Sequence, residues 1–180
     1  MGTRTNADEI VLLRRELQAM TDADLSEHRN RLRELSLRHP NSITPLDSPH
    51  PIVDYTCLMH ALDQVDWPDY KTFKEQSVSA GRLFAHNLVL TGVLAQLPEE
   101  SATAGDIVLY FGEGGFQHAG RLLDRDRVVS KWGTGHLYEH GIWEVPSSYG
   151  SDIRFYKSLP CDESIYYFKR FAADRGVLFE

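Results

Sequence analysis

Apolar residues recur at helical spacing at Ile10, Leu13, Leu17 and Met20, and again at Leu25, Leu32 and Leu35, which predicts two helices between residues 8 and 39. Thr21, followed three residues later by Asp24, has the form of a capping box that opens the second helix, and Pro40 closes it. Residues 1–40 therefore read as an N-terminal helical hairpin. Pro40, Pro45, Pro49 and Pro51 each disfavour helix at the residue before them, so 41–51 reads as an extended linker to a larger domain over 52–180. That domain begins with a helix from Thr56 to about Val65, capped by Thr56 or Asp54 and closed by Trp67-Pro68. A further helix is expected over 71–86 on the apolar positions Phe73, Val78, Leu83 and Phe84, with Gly81 weakening it. Asn87 to Leu94 fits either its continuation or a strand.

After Gly105 the pattern changes. Asp106 to Phe111, Phe116 to Leu123, Arg127 to Trp132 and Ile153 to Lys157 are rich in β-branched and aromatic residues and are separated by Gly112-Glu113-Gly114-Gly115 and Asp124-Arg125-Asp126, the signature of antiparallel strands. Residues 133–151 show no regular period. A last helix spans about Asp162 to Arg175, with Ile165, Phe168 and Phe171 on one face and Gly176 past its end. Helices first and strands second in one core predict an α+β fold, an antiparallel sheet with helices packed on one face, plus the N-terminal hairpin.

Composition narrows the classes. The 180 residues are 42% hydrophobic and 25% charged, enough for an ordinary folded core. A net charge of −7 argues against nucleic acid as a partner. No apolar run approaches the roughly 20 residues that span a bilayer, so no membrane association is expected. The first residues, MGTRTNADEI, contain no apolar stretch after Arg4, which points to a cytoplasmic protein unless a dedicated secretion route exists. Arg14, Arg15, Arg29, Arg31, Arg33 and Arg38 on the hairpin are offset by Glu9, Glu16, Asp22, Asp24, Glu27 and Glu34, the mixed charge of a solvated face. The hairpin is also the natural element for a protein partner.

The two cysteines, Cys57 and Cys161, do not make a disulfide framework in a chain without an export signal. Each stands at an expected helix start, where unpaired N–H groups favour a thiolate. Cys57 is the one followed by a histidine in a suitable setting. His118, in Gln117-His118-Ala119-Gly120, opens a strand beside small residues and is the candidate base and acid for a thiol nucleophile. If the turn is 124–126 and the pairing symmetric, Trp132 lies opposite His118 and Ser130 opposite Gly120, with Lys131 on the other face. Ser130 is then the candidate third group that orients the imidazole. Tyr55, Lys131, Trp132 and His140 are the candidate substrate contacts, and Trp132 would shield the pair. His60, three residues after Cys57, is better read as a core or rim histidine. His136 and His140 have the i, i+4 spacing of a helical zinc site, but Gly133, Gly135 and Gly141 argue against a helix there, so no metal is expected; a substrate-contacting loop is the preferred reading. Thiol–imidazole chemistry also calls for no cofactor.

The order of Tyr55-Thr56-Cys57, then Gly105-Asp106-Ile107-Val108-Leu109-Tyr110-Phe111, then His118-Ala119-Gly120-Arg121, resembles the papain-like fold of the NlpC/P60 superfamily over roughly residues 50–158. Ser130-Lys131-Trp132-Gly133, Glu139-His140 and Tyr149-Gly150 are similar to an uncharacterised bacterial branch of such folds. The resemblance implies a cysteine amidase or peptidase acting on a peptide or peptidoglycan-like amide, in a cell-wall or toxin context. Two departures stand out. Thr56-Cys57-Leu58 replaces the usual Asp-Cys-Ser, and Ser130 takes a third position commonly held by His, Asn or Gln. A catalytically weak binding module, or a thiol acyltransferase or deamidase on the same fold, is the alternative.

Overall fold

The computed structural model describes residues 6–70 and 78–177. The first part of the helix expected over 71–86, including Phe73, lies outside the described residues. The helices are α1 (Asn6–Thr21), α2 (His28–Arg38), α3 (Cys57–Ala61), α4 (Arg82–Leu90) and α5 (Cys161–Ala173), with single 3-10 turns at Leu25–Glu27, Glu99–Ser101 and Ser147–Tyr149. The strands are β1 (Thr44–Leu46), β2 (Gln96–Leu97), β3 (Ile107–Gly112), β4 (Gly115–Leu122), β5 (Arg127–Lys131), β6 (Leu137–Gly141) and β7 (Asp152–Tyr156). They form one antiparallel sheet in the order β1-β6-β5-β4-β3-β7-β2. The fold is α+β, as the succession of periods predicts. No described helix is long and apolar enough to cross a membrane.

Several local expectations are corrected. Thr21 does not cap α2: it ends α1, its hydroxyl donating to the Gln18 carbonyl, and Asp24 caps the 3-10 turn Leu25–Glu27 that leads into α2, accepting from the Ser26 N–H. The proline-rich linker contributes β1, which pairs with β6 through Thr44 opposite Glu139 and Leu46 opposite Leu137. Pro45 is tolerated because β1 is an edge strand. Helix α3 is one short turn, not a helix to Val65, because Asp63 takes a left-handed conformation (φ 61°) and the Gln64 N–H bonds the Met59 carbonyl. That turn sends the Gln64 side chain inward to Ser164 of α5. The ambiguous stretch from Asn87 continues α4 to Leu90 and stops before Gly92 (φ 71°).

The largest correction lies in the stretch read as irregular. Residues 137–141 form β6, paired along all of β5. Its inward positions are Tyr138 and His140 rather than aliphatic residues, and glycines flank it, so the usual alternation signal is missing.

The sheet has two apolar faces and both are covered. Leu58, Met59, Phe84, Leu88, Phe168 and Phe171 of α3, α4 and α5 pack with Ile107, Leu109 and Ala119 on one face. Leu13, Leu17 and Met20 of α1 and Leu32 and Leu35 of α2 pack with Val108, Tyr110, Leu122, Val128, Trp132 and Tyr138 on the other. The N-terminal hairpin is thus the cover of the second face and shares its core. Helices lie on both faces of the sheet, where the sequence pattern predicted one face and an appended hairpin.

Candidate functional site

The site forms where β4 and β5 part. Their pairing is confined to Arg121 opposite Val129 and Leu122 opposite Val128, the register expected from the Asp124–Asp126 turn. Along β4, the Leu122 N–H bonds the Asp106 carbonyl on the β3 side, so alternation turns the N–H groups of Leu122, Gly120 and His118 toward β3 and that of Ala119 toward β5. At Ala119 β5 has moved away. The thiol of Cys57, at the start of α3, takes the Ala119 N–H instead. Thr56 fixes that helix start: its hydroxyl oxygen accepts from the Met59 N–H at 3.2 Å and its proton goes to the Ala80 carbonyl at 2.7 Å.

Around the sulfur, opposing effects act. Burial pushes the Cys57 thiol up in pKa, while the Ala119 N–H, the nearby Lys131 ammonium and the N–H groups of Leu58 and Cys57 pull it down; burial dominates. Helix α3 is too short to bring a large dipole, so the expectation of a resting thiolate is not met. His118 is buried and held well below its ordinary pKa by burial and then by His140, His60 and Lys131. Its Nε2 has no hydrogen-bond partner among the described residues. At rest Cys57 is a neutral thiol and His118 a neutral imidazole.

Lys131 sits on the same side as α3, fully buried, its ammonium bonded to the Gly133 carbonyl and 5.4 Å from the centroid of the Tyr55 ring. Tyr55 is buried, donating to or accepting from the Ser48 hydroxyl at 2.8 Å, and its ring centroid lies 6.5 Å from that of His60. Burial, then Arg121, brings His60 down to about 4, so it too is neutral.

Ser130, expected to orient His118, is engaged elsewhere. The His140 Nδ1–H donates to the Gly141 carbonyl at 2.8 Å, leaving Nε2 to accept from the Ser130 hydroxyl at 2.7 Å. The same hydroxyl oxygen accepts from the Trp132 indole N–H at 3.0 Å. Ser130, Trp132 and His140 form a closed chain within the second core, each 1% exposed or less. A ligand outside the folded chain meets neither Trp132 nor His140, because both side chains are sealed beneath the hairpin. Burial brings His140 down to about 4. His136 shares its strand face, roughly 13 Å away along β6, too far for both to hold one ion.

What lies against the His118 ring is Tyr149, from the 3-10 turn Ser147–Tyr149. The two rings are stacked, with centroids 3.9 Å apart and planes 17° from parallel. Tyr110 flanks His118 at 5.5 Å. Tyr149 is also close enough to Cys57 to feel its charge, and burial raises its hydroxyl well above the usual range. Sequence reasoning gave Tyr149 no role, since no periodic pattern marks a single 3-10 turn. The sequence signal was the Tyr149-Gly150 motif, and the structure shows why glycine stands there: φ is 88°, and a side chain would collide with the Phe111 carbonyl of β3.

Two other sequence features are structural. The Asp106 carboxylate accepts from the Thr103 N–H and hydroxyl, the Ser158 N–H and the Lys157 ammonium, tying the start of β3 to the end of β7. Cys161, in contrast to Cys57, lies among carboxylates: its thiol donates to the Asp63 carbonyl at 2.9 Å, and burial with Asp63, Asp162 and Asp66 raises its pKa.

Residues 48–157 match the family model described as a domain of unknown function, DUF7689. The chain belongs to that family. The DUF7689 region runs from the end of the proline-rich segment through β7 and contains Tyr55, Cys57, His60, His118, Lys131, His140 and Tyr149, whereas α1, α2, β1 and α5 lie outside it. No curated protein and no solved structure matches the chain.

Proposed function

We propose that this DUF7689 protein is a thiol-dependent hydrolase of papain-like architecture that cuts an amide bond through Cys57 and His118. The observation that carries the reading is the Cys57 thiol set on the Ala119 N–H, one residue from His118, at a break in the β4–β5 ladder. A ladder with an unfilled N–H is costly unless something uses it.

In this mechanism the Cys57 proton passes to the His118 imidazole as sulfur attacks the substrate carbonyl, and a C–S bond forms while the carbonyl π-pair moves to oxygen. Cys57 and Ala119 N–H groups and the Lys131 ammonium stabilise that negative charge. Collapse of the intermediate breaks the C–N bond, and the imidazolium returns its proton to the leaving amine. Water then attacks the thioester with His118 taking its proton, releasing the acid and restoring the thiol. By resemblance, the substrate class is a small peptide or peptidoglycan-like amide; acyl transfer or deamidation would use the same steps with a different acceptor or leaving group.

A second reading has its own support. The neutral, enclosed pair and the commitment of Ser130 to His140 suit a module that keeps this architecture to bind a partner without turnover. The two are separated by hydrolysis of p-nitrophenyl acetate and of a panel of peptide amides and stem peptides, with intact-mass detection of an acyl adduct. An adduct on Cys57, with turnover lost in C57A and H118A and kept in C161A, supports the hydrolase. Turnover equal in C57A and wild type, or no adduct on Cys57 with the activated ester, favours the binding module.

A further inference from the structure

The group that holds His118 in place has to be sought away from the sheet. Ser130 spends its proton on His140 and its lone pair on Trp132. Among the described residues no carboxylate or amide side chain bonds the His118 ring, and its Nε2 has no hydrogen-bond partner. The charged and titratable groups acting on it or lying against it are His60 from α3, Tyr110 from β3, Lys131 from β5, His140 from β6 and Tyr149, which in turn feels Cys57. Of these only Tyr149 makes face-to-face contact. A ring stacked within 17° of parallel fixes the plane of the imidazole, which a hydrogen bond to one nitrogen would otherwise do.

Tyr149 is in turn held from the N-terminal hairpin. The Arg14 guanidinium on α1 donates to the carbonyls of Val145 at 3.2 Å, Pro146 at 3.5 Å and Gly150, bracketing the turn on both sides. Gln18, one helical turn further on, accepts from the Ser148 N–H at 3.1 Å. On the opposite side the backbone of Gly150 lies against Phe111 and Gly112 of β3 so closely that only glycine fits. The turn is clamped between α1 and β3, and Tyr149 has one place to go. Arg14, expected on a solvated face, is half-buried by this use.

We propose that Tyr149 is the positioning residue of His118, and that Arg14 and Gln18 of the N-terminal hairpin set it, making the hairpin part of the working site. As a catalytic role this rests on the hydrolase reading, but the positioning itself is measurable without turnover. The hairpin lies outside the DUF7689 segment, so the clamp joins two parts of the chain that a family match alone would treat separately.

The test is an NMR titration of the His118 ring in wild type, Y149F, Y149L and R14M, its resonances assigned by their loss in H118A, together with the pH profile of Cys57 alkylation by iodoacetamide. Y149F keeps the stack and leaves both profiles within 0.3 pH units of wild type. Y149L replaces the flat ring that covers the imidazole face with a side chain that covers it only in part, and with that burial relieved His118 becomes at least tenfold easier to protonate, one pH unit or more toward its ordinary value. R14M shifts it the same way by a smaller amount while Tyr149 itself is unchanged. A folded Y149L, by thermal melt and amide spectrum, whose His118 titrates as in wild type overturns the proposal. So does an R14M shift of zero for the hairpin's part. If Y149L does not fold, Y149H and R14M decide: retention of the profile in Y149H with a shift in R14M supports the clamp, and no shift in R14M overturns it. Loss of turnover in none of these variants, with the titration shifted, would count against the hydrolase reading and leave the positioning intact.

Discussion

Cys57 and Cys161 each occupy the first position of a helix, α3 and α5, and local sequence gives no reason to prefer one. Their surroundings differ in sign. Cys57 is met by the Ala119 N–H and Lys131, with neutral histidines nearby, whereas Cys161 is met by the carboxylates of Asp63, Asp162 and Asp66 and spends its proton on the Asp63 carbonyl. Both thiols are raised in pKa, but for Cys57 the cause is burial alone, set against four influences that favour the thiolate. For Cys161 the neighbouring charges add to burial. A helix start is therefore weak evidence for a nucleophile; what the tertiary structure brings against the sulfur decides, and of the two it is Cys57 whose polar neighbours all favour the thiolate.

The largest effect that separates the two thiols should come from His118→Ala. If Cys57 works with His118, amide hydrolysis falls by roughly 10²–10⁴-fold, the range lost with a general acid–base group. Alkylation of Cys161 should not change. Equal rates in H118A and wild type would remove His118 from the chemistry and with it the distinction between the two sites.

Two histidines also make a prediction about pH and stability. His60 and His140 are each brought down to about 4 by burial, from an ordinary 6.5. Between those values the unfolded chain binds protons that the folded chain does not, so unfolding becomes easier as pH falls. The stability their neutrality preserves is complete above about pH 6.5 and is lost on the way down to about 4, on the order of 3 kcal/mol per histidine. Denaturant melts at pH 7.5, 6, 5 and 4.5 should show this decline, and H140Q should flatten it if the Gln amide can serve the Ser130 hydroxyl. A melt midpoint flat from pH 7.5 to 4.5 would contradict the neutral assignment.

Much of the scaffold was legible because it follows from period alone. Leu13, Leu17 and Met20 repeat at helical spacing and do line the inner face of α1; the β4–β5 register follows from the Asp124–Asp126 turn and the period-two pattern on either side. What was not legible depends on long-range contacts. Nothing local in His136-Leu137-Tyr138-Glu139-His140 announces a buried strand, because its core face carries Tyr138 and His140, and the His140 ring is satisfied only by the Ser130 hydroxyl from β5 and the Gly141 carbonyl beside it. Arg14 looks like one more surface arginine until the carbonyls of residues 145–150 arrive from more than a hundred residues away. Cys57 and His118 could be singled out by order and residue type, whereas Tyr149, which touches the imidazole, depends on a turn whose place is fixed by α1 and β3.

Lys131→Met tests the favourable side of the comparison. The ammonium is one of the influences that lower the Cys57 pKa, and methionine keeps most of the buried volume while removing the charge. Alkylation of Cys57 near pH 8 should fall about tenfold, the change expected for a shift of one pH unit in the thiol. Cys161 reads as the internal control, since Lys131 is not among the groups that act on it. An unchanged Cys57 rate would mean that the N–H groups alone supply what stabilisation the thiolate has.

Asp63→Asn tests the unfavourable side and should be the smallest effect. Asn is well suited to the left-handed conformation of residue 63, so the turn after α3 and the carbonyl that accepts the Cys161 proton stay where they are. Only the negative charge is lost. That charge raises the Cys161 pKa, so its removal lowers the pKa and speeds alkylation of Cys161. Asp162 and Asp66 remain, and Asp63 is itself partly neutralised by Arg121 at 3.1 Å, so the gain is about two- to threefold in dilute buffer. Because these groups are near solvent, 0.5 M salt should erase most of it, while the effect on Cys57 of replacing the buried Lys131 should persist in the same salt. A salt-independent acceleration in D63N would instead mean that the substitution had loosened the Asp63 turn, and that geometry rather than charge sets Cys161 apart.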